Sequence, residues 1–145
     1  MASQSTTNSK RRKRVLAIDD EPSMTEWLKM VIEAEGYEVR TALIGTRGEE
    51  VYKQWRPDVV VTDLMLPDLD GVQLLRRLKE IDSSPEVIII SGQGTVARAV
   101  EAGQAGAFFF LEKPVSQEGL MTIISRARAR WAKASARCRC SSVLA

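Results

Sequence analysis

The amino-acid sequence predicts an α/β fold in which a doubly wound, five-stranded parallel sheet carries helices on both faces. Five short runs rich in β-branched or aromatic residues alternate with stretches of helical periodicity, which gives the element order βαβαβαβαβα. Four of these runs lack polar alternation, as do strands that are buried on both faces of a parallel sheet. The length of 145 residues is that of one ordinary domain, so a single core is expected.

The predicted strands are short and well separated along the chain. An edge strand is predicted at Glu38–Ala42, where polar and apolar residues alternate. The four continuous apolar runs are Val15–Ile18, Val59–Val61, Val87–Ile90 and Phe108–Leu111. The folded domain is therefore expected to begin near Val15.

Helical patterns follow the strands. Pro22 suits the first turn of the first helix and Gly36 its carboxyl-terminal end, while Ser116 can cap the last helix. Apolar stripes at helical spacing comprise Met24, Trp27, Leu28, Val31 and Ile32 in the first helix, Val72, Leu74, Leu75, Leu78 and Ile81 in the third, and Leu120, Ile123, Ile124, Ala127 and Trp131 in the last. Weaker patterns predict helices over Arg47–Trp55 and Thr95–Gln104.

The folded domain is predicted to span residues 15–131. Residues 1–14 begin with a polar stretch and end in a basic run, so we expect a disordered basic amino-terminal segment. Residues 132–145 are interpreted as a basic, polar tail. Its Cys138 and Cys140 are too close to close a useful loop and too few for a zinc site, so free thiols in a reducing compartment are expected.

Composition excludes several classes of protein. Hydrophobic residues make up 44% and charged residues 28%, as in ordinary globular domains. No apolar run approaches the roughly 18–20 residues that cross a bilayer, and no signal peptide follows the basic run, so a cytoplasmic protein without membrane contact is expected. The sequence contains no histidine, which excludes histidine triads, histidine metal sites and histidine phosphoacceptors. Phosphoryl or proton chemistry must then use carboxylates, lysine or hydroxyl groups.

The formal net charge of +2 conceals two basic ends. Five of the 21 basic residues lie in Lys10–Arg14 and six in Arg126–Arg139, whereas all 19 acidic residues lie between them, so residues 15–125 carry a charge of −9. Basic ends can contact nucleic acid or anionic lipid. Because neither interleaved aromatic residues nor zinc-ligand spacing accompanies the first run, solvated ends are favoured over direct nucleic-acid binding.

Acidic, hydroxyl and lysine side chains follow four of the predicted strands. Asp19, Asp20 and Glu21 follow the first strand, Asp63 the third, Ser91 the fourth and Lys113 the fifth. Parallel strands of a sheet all end at one edge, where open α/β sheets bind their ligands. We therefore expect these side chains to meet in one crevice.

These residue types together indicate phosphoryl chemistry. Three clustered carboxylates repel one another unless a cation neutralises them, and oxygen ligands without Cys or His favour a hard ion such as Mg²⁺. Lys113 would supply a point charge for a phosphate and Ser91 a hydrogen bond, while one carboxylate could form an aspartyl phosphate. Each feature alone has a plainer interpretation, such as a helix cap for the paired aspartates or a turn for Ser91. Their joint arrangement favours the chemical interpretation.

With these motifs the sequence resembles the receiver domain of bacterial two-component response regulators. The resemblance covers about Val15 to Trp131. Its motifs are Asp19–Pro22, Thr62–Pro67 with Gly71, Ser91–Gly92 and Phe110–Pro114. The stretches Val61–Glu80 and Phe110–Ser116 are most similar to the receivers of sigma-54-dependent, enhancer-binding transcription activators. The resemblance implies the flavodoxin-like strand order 2-1-3-4-5.

The resemblance also implies which residues would accept a phosphoryl group and hold a metal. Asp63 would accept the phosphoryl group from a sensor histidine kinase. Asp20, Asp63 and the backbone carbonyl of Met65 would hold Mg²⁺, with Asp19 acting through water. Such a domain catalyses only its own phosphorylation and dephosphorylation.

The same resemblance implies a conformational switch. Lys113 would pair with the phosphoryl oxygens, and its bond to Pro114 would be cis. Ser91 would swing toward the phosphoryl group, and Phe110, the switch aromatic, would move inward after it. This would reshape the face formed by the fourth helix, the fifth strand and the fifth helix for a downstream output protein or domain.

The sequence departs from its relatives in three places. Three consecutive phenylalanines occupy Phe108–Phe110, so Phe109 is expected either to be partly exposed or to pack on a neighbouring helix. Met65 cannot hydrogen-bond an attacking water, so asparagine there should hasten the loss of phosphate. We expect no output domain after Trp131, which leaves open a stand-alone receiver or a piece of a longer protein.

Other functions stay open at this point. A phosphohydrolase of the haloacid-dehalogenase kind also forms an aspartyl phosphate, but it places Asp-x-Asp after its first strand, unlike Asp19-Asp20-Glu21. A receiver-like interaction module that is never phosphorylated would be distinguished by Mg²⁺ titration. The arginines at 126, 128 and 130 could pair with a second subunit or be solvated, so homodimer formation on phosphorylation is left open.

Overall fold

Strands and helices alternate along the chain as the sequence predicts. The computed structural model describes the backbone of residues 13–144 and the side chains of residues 13–135. The strands are β1 (Arg14–Ile18), β2 (Glu38–Ala42), β3 (Val59–Asp63), β4 (Glu86–Ser91) and β5 (Phe109–Glu112). The helices are α1 (Pro22–Glu33), α2 (Gly45–Trp55), α3 (Gly71–Ile81), α4 (Val96–Gln104) and α5 (Gln117–Leu144). The side chains of Cys138 and Cys140, and residues 1–12 of the predicted disordered segment, lie outside the described residues.

The five strands form one parallel sheet in the order β2-β1-β3-β4-β5, which confirms the predicted order 2-1-3-4-5. β1 pairs with β2 from Arg14 opposite Glu38 to Ile18 opposite Ala42. On its other side β1 pairs with β3. The order of the strands reverses between β1 and β3, so the carboxyl ends of these two strands lie side by side at the switch point of the sheet.

Apolar layers cover both faces of the sheet. One layer packs the stripes of α1 and α5 against alternate residues of β1, β3 and β4, such as Val15, Val61 and Ile88. The other packs α2 and α3 against the intervening residues, such as Leu16 and Val60. β1, β3 and β4 are therefore buried on both faces, as their continuous apolar runs predict.

The two edge strands are less covered. β5 was expected to be buried on both faces, but Phe109 is 43% exposed and α4 fully buries only Ala102. The expectation of two-sided burial is therefore wrong for β5, whereas the alternative of a partly exposed Phe109 is confirmed, because this strand lies at the edge of the sheet beneath a poorly buried helix. β2 forms the other edge, and the guanidinium of its Arg40 lies 4.8 Å from the centroid of the Trp55 ring.

Arg14 begins β1, one residue before the predicted start of the domain. Its guanidinium donates to the carbonyl oxygen of Trp55 at 2.7 Å and lies 3.4 Å from a carboxylate oxygen of Glu38. These contacts hold a charged residue at the end of the sheet.

Helix α5 runs past Trp131, where the sequence predicts the domain to end. Its apolar stripe accounts for the first half, and alanines and arginines with high helix propensity continue it beyond that point. Arg128 pairs with Asp58, which is fully buried, and Arg130 Nε lies 3.4 Å from a carboxylate oxygen of Glu86. The domain limits themselves stay a prediction. Within the described residues, none of the helices is both long and apolar enough to cross a membrane.

Candidate functional site

The predicted site residues lie at the carboxyl ends of the strands. Asp19 follows β1, Asp63 is the last residue of β3, and Lys113 follows β5. The backbone N–H of Lys113 donates to the carbonyl oxygen of Ser91 at 2.8 Å, which joins the ends of β4 and β5. The Lys113–Pro114 peptide bond is cis, as the resemblance implies.

Three carboxylates form a cluster at this edge. Asp19, Asp20 and Asp63 each offer one oxygen, and these oxygens lie within 4.8 Å of one another. Asp19 and Asp63 are buried, whereas Asp20 is exposed. The backbone N–H of Glu21 donates to Oδ1 of Asp19 at 2.9 Å, and no side chain caps the start of α1. The plainer interpretation of the aspartate pair as a helix cap is therefore not realised.

Lys113 completes the cluster. Its Nζ lies 3.2 Å from Oδ2 of Asp19 and 3.5 Å from Oδ1 of Asp63. Burial alone would lower the pKa of Lys113, but the charges of Asp63 and Asp19 more than offset this and raise it. The lysine is thus held as a cation between two carboxylates.

Asp63 has a raised pKa. Burial is the largest cause, Lys113 opposes it, and the charges of Asp19 and Asp20 add to the rise. Repulsion between carboxylates, which the sequence predicts, therefore contributes less to the rise in the pKa of Asp63 than burial does.

The donor set fits a hard divalent cation. The cluster offers only oxygen ligands, it combines buried and exposed carboxylates, and its negative charge exceeds what the single Lys113 can neutralise. Met65 lies two residues beyond Asp63 and is 63% exposed, and its backbone carbonyl stays a predicted ligand. The acidic cluster could therefore bind a metal ion.

Ser91 and Phe110 both contact the loop between β4 and α4. Ser91 is buried at the end of β4, and its Oγ accepts a hydrogen bond from the backbone N–H of Gln93 at 3.1 Å. Phe110 is partly buried against the α2–α3 layer. Its ring fills the space beside Gly94, where a Cβ would lie only 2.6 Å from Cε1 of the ring. The loop between β4 and α4 thus contacts both residues of the predicted switch.

Sequence reasoning missed two residues near the site. One is Gly94, which leaves space for the Phe110 ring. The other is Asp68, whose carboxylate accepts hydrogen bonds from the backbone N–H groups of Gly45 and Thr46. The sequence gives no local signal for Asp68, because this residue lies 23 residues from Gly45, from whose N–H group it accepts a hydrogen bond.

The doubly wound sheet with clustered carboxylates and a lysine at its carboxyl edge defines the class of receiver domains. A family model described as "Response regulator receiver domain" matches residues 15–125. The chain belongs to this family.

Known proteins similar to this chain include both long and short members of the family. The chain is 39% identical over 115 residues to the C4-dicarboxylate transport transcriptional regulatory protein DctD of Pseudomonas aeruginosa, covering 79% of this chain and 25% of that protein. It is 34% identical over 115 residues to the chemotaxis protein CheY of Thermotoga maritima, covering 79% of this chain and 96% of that protein. The solution structure of the beryllofluoride-activated NtrC4 receiver domain dimer is similar with a TM-score of 0.78 and 40% identity, covering 81% of this chain and 98% of that one.

The chain spans only about a quarter of the length of several transcriptional regulators that it matches, including 26% of GlrR from Escherichia coli and 25% of DctD. The shared part is the receiver domain alone.

Proposed function

We propose that this receiver domain is a phosphorylation switch in which Asp63 accepts a phosphoryl group from the phosphohistidine of a sensor histidine kinase, with Mg²⁺ bound beside it. The observation that carries the proposal is the position of the Asp63 carboxylate beside two other carboxylates and 3.5 Å from Nζ of Lys113. Phosphoryl transfer to a carboxylate needs a nucleophile, a metal site and a cation for the phosphate, and this edge of the sheet offers all three.

Asp20, Asp63 and the backbone carbonyl of Met65 would hold the metal ion. When bound, Mg²⁺ supplies positive charge that offsets the repulsion between the carboxylates and the incoming phosphoryl oxygens. Both carboxylate oxygens of Asp19 already have partners, Lys113 and the backbone N–H of Glu21, which favours an indirect role for Asp19 through water.

In the proposed step a carboxylate oxygen of Asp63 attacks the phosphorus atom. The new O–P bond forms while the P–N bond of the donor imidazole breaks, and the imidazole leaves with the electron pair. Burial raises the pKa of Asp63, and the positive charge of Lys113 opposes this rise. Lys113 therefore favours the anionic form of Asp63, which is the nucleophile. Lys113 would then exchange a carboxylate partner for the phosphoryl oxygens.

The switch would pass from the phosphoryl group to the β4–α4 loop. The Oγ of Ser91 would turn toward the phosphoryl group and give up its hydrogen bond to Gln93. Phe110 would follow it beneath the loop, which changes the face of α4, β5 and α5 that a downstream protein or domain contacts. The domain would catalyse only its own phosphorylation and dephosphorylation.

The test is the intact mass after incubation with Mg²⁺ and acetyl phosphate. One added phosphoryl group is expected in the wild type, and none in Asp63→Asn or after chelation of Mg²⁺. Asp82→Asn is a matched control, because Asp82 is a carboxylate that accepts a backbone hydrogen bond from Ser84 away from the site. Absence of an adduct, together with no binding of the phosphoryl mimic beryllofluoride, would instead support an interaction module that is not phosphorylated.

The proposed partners are a sensor histidine kinase and a downstream output protein or domain, and the proposed location of this protein is the cytoplasm. Because the NtrC4 receiver of similar fold is described as a beryllofluoride-activated dimer, we include homodimer formation on phosphorylation in the proposal. Light scattering with and without beryllofluoride tests it, and a molar mass that stays monomeric in both samples at the highest concentration measured would remove this part.

A further inference from the structure

The loop between β3 and α3 is closed at its base beside Asp63. The backbone N–H of Gly71 donates to the carbonyl oxygen of Leu64 at 2.6 Å, and Met65 forms an isolated antiparallel bridge with Asp70. A Cβ at Gly71 would lie 2.8 Å from the carbonyl oxygen of Asp63, so only glycine allows this close return of the chain. The loop thus leaves the end of β3 and comes back to it.

The tip of the same loop is fixed to a different element. Oδ1 of Asp68 accepts a hydrogen bond from the backbone N–H of Gly45, and Oδ2 accepts one from Thr46, both at 2.8 Å. These two N–H groups begin α2, whose preceding residue Ile44 offers no capping side chain. Asp68 therefore caps α2 from a distance in sequence, where the positive end of the helix dipole favours its charge.

Apolar packing reinforces this connection. A Cβ at Gly45 would lie 2.8 Å from Cδ1 of Leu69 and 3.2 Å from Oδ1 of Asp68, so the loop lies directly against the first residue of α2. The loop is therefore held at its base by backbone hydrogen bonds and at its tip by a carboxylate and a leucine. Met65 belongs to the base of the loop through its bridge with Asp70, three residues before the tip residue Asp68.

We propose that Asp68 is a positioning residue for the metal site, because by fixing the loop tip to α2 it holds the backbone carbonyl of Met65 in place beside Asp63. This inference rests on the proposed function, in which that carbonyl is a Mg²⁺ ligand. Fixing a residue's backbone when a ligand binds costs conformational entropy. A loop that is ordered before the metal binds does not incur that cost on binding.

The expected effect of losing Asp68 is a weaker metal site rather than a slower reaction. Groups that orient metal ligands typically contribute roughly 10- to 100-fold to metal affinity. We expect Asp68→Ala to raise the Mg²⁺ concentration for half-maximal phosphorylation by about tenfold, with little change in the rate at saturating Mg²⁺. Asp68→Asn should fall in between, because its amide oxygen can accept from one N–H group while its NH₂ faces the other donor.

The first measurement is the dissociation constant for Mg²⁺ alone, from NMR titration of each variant without a phosphodonor. In Asp68→Ala the amide signals of Gly45 and Thr46 should also shift, since they lose their acceptor. Asp82→Asn is the matched control, and it should keep both the wild-type Mg²⁺ affinity and the Gly45 and Thr46 signals. If Asp68→Ala does not fold, as judged by circular dichroism, Asp68→Asn provides the same test.

The outcomes separate this inference from the proposed function. A wild-type protein that is not phosphorylated and does not bind Mg²⁺ would overturn the proposed function and this inference with it. A wild type that is phosphorylated, with Asp68 variants that bind Mg²⁺ as tightly as it does, would overturn the positioning role alone. Equal loss of affinity in Asp82→Asn would also overturn it, because the effect would then follow from general destabilisation.

Discussion

Replacing Gly94 with alanine tests whether Phe110 needs the space beneath the β4–α4 loop. The added Cβ would lie 2.6 Å from Cε1 and 2.8 Å from Cζ of the Phe110 ring, but 3.4 Å from Cβ of Ser91. Carbon atoms in contact prefer separations of about 3.5–4.0 Å, so the ring has to move by roughly 1 Å. The backbone at Gly94 lies outside the left-handed region, so the substitution changes the available space and not the backbone strain.

The expected cost falls on any position in which the Phe110 ring lies beside Gly94 under the loop. Overpacking of this kind costs about 1–3 kcal/mol. Because Phe110 is only partly buried and lies on the edge strand β5, its ring can relieve the overlap by turning toward solvent. If the phosphorylated state needs the ring inward, the variant should bind beryllofluoride roughly 5- to 150-fold more weakly, since about 1.4 kcal/mol corresponds to tenfold.

The assay is a beryllofluoride titration at saturating Mg²⁺, followed by NMR signals of the β4–α4 loop. Gly103→Ala is the control, because a Cβ there meets no atom within 4 Å. In a background that carries Phe110→Ala, adding Gly94→Ala should cause no further loss of affinity. Wild-type affinity in Gly94→Ala, or an undiminished loss in the Phe110→Ala background, would refute the reasoning.

Three further predictions concern stability and the lifetime of the phosphoryl group. Arg128→Met should lower the free energy of unfolding by about 1–3 kcal/mol in urea denaturation, because it removes the arginine that pairs with the buried carboxylate of Asp58; a loss below about 0.5 kcal/mol would contradict this. Burial, helped by the charge of a nearby aspartate, raises the pKa of Tyr52 from 10.0 to about 12, so its neutral form is favoured in the fold. The stability that the neutral Tyr52 provides is fully present below pH 10 and is lost as the pH rises to 12. Over that range the free energy of unfolding of the wild type should fall by roughly 2–3 kcal/mol more than that of Tyr52→Phe. Parallel plots of unfolding free energy against pH for the two proteins would contradict this. Met65→Asn should shorten the half-life of phosphorylated Asp63 by roughly fivefold, because the asparagine amide can form a hydrogen bond of about 1 kcal/mol with the attacking water. An unchanged half-life would refute this prediction.

The sheet was predictable because its central strands are apolar without interruption. The alternating run at Glu38–Ala42 also matches β2 residue for residue. The run at Phe108–Leu111 predicted β5 within one residue, and exposure of Phe109 was one of two alternatives left open, since the hydrophobicity of a strand does not reveal how well the neighbouring helix covers it. The continuation of α5 past Trp131 was not predicted, because the apolar stripe ends at that residue. Beyond it the helix depends on the high helix propensity of its alanines and arginines.

The cluster of carboxylates and lysine followed from where parallel strands end, so its members could be predicted from their positions after the strands. The contacts of Asp68 and Gly94 could not be predicted in this way. Each depends on how two segments that are distant in sequence approach each other, Asp68 with Gly45 and Gly94 with Phe110. The hydrophobic periodicity and capping signals of a short segment do not show which distant segment it will contact.

The two open edges of the sheet bear on self-association of the folded protein. An unpaired edge strand can template the addition of another chain, and proteins commonly guard such strands with charge or keep them short. β2 carries Glu38 and Arg40, and the arginine is stacked on Trp55, so an incoming strand would meet fixed charges. β5 is only four residues long and ends in Glu112, but it exposes Phe109. Protection against aggregation is therefore uneven, and β5 is the edge at which lysine or glutamate in place of Phe109 would most improve it.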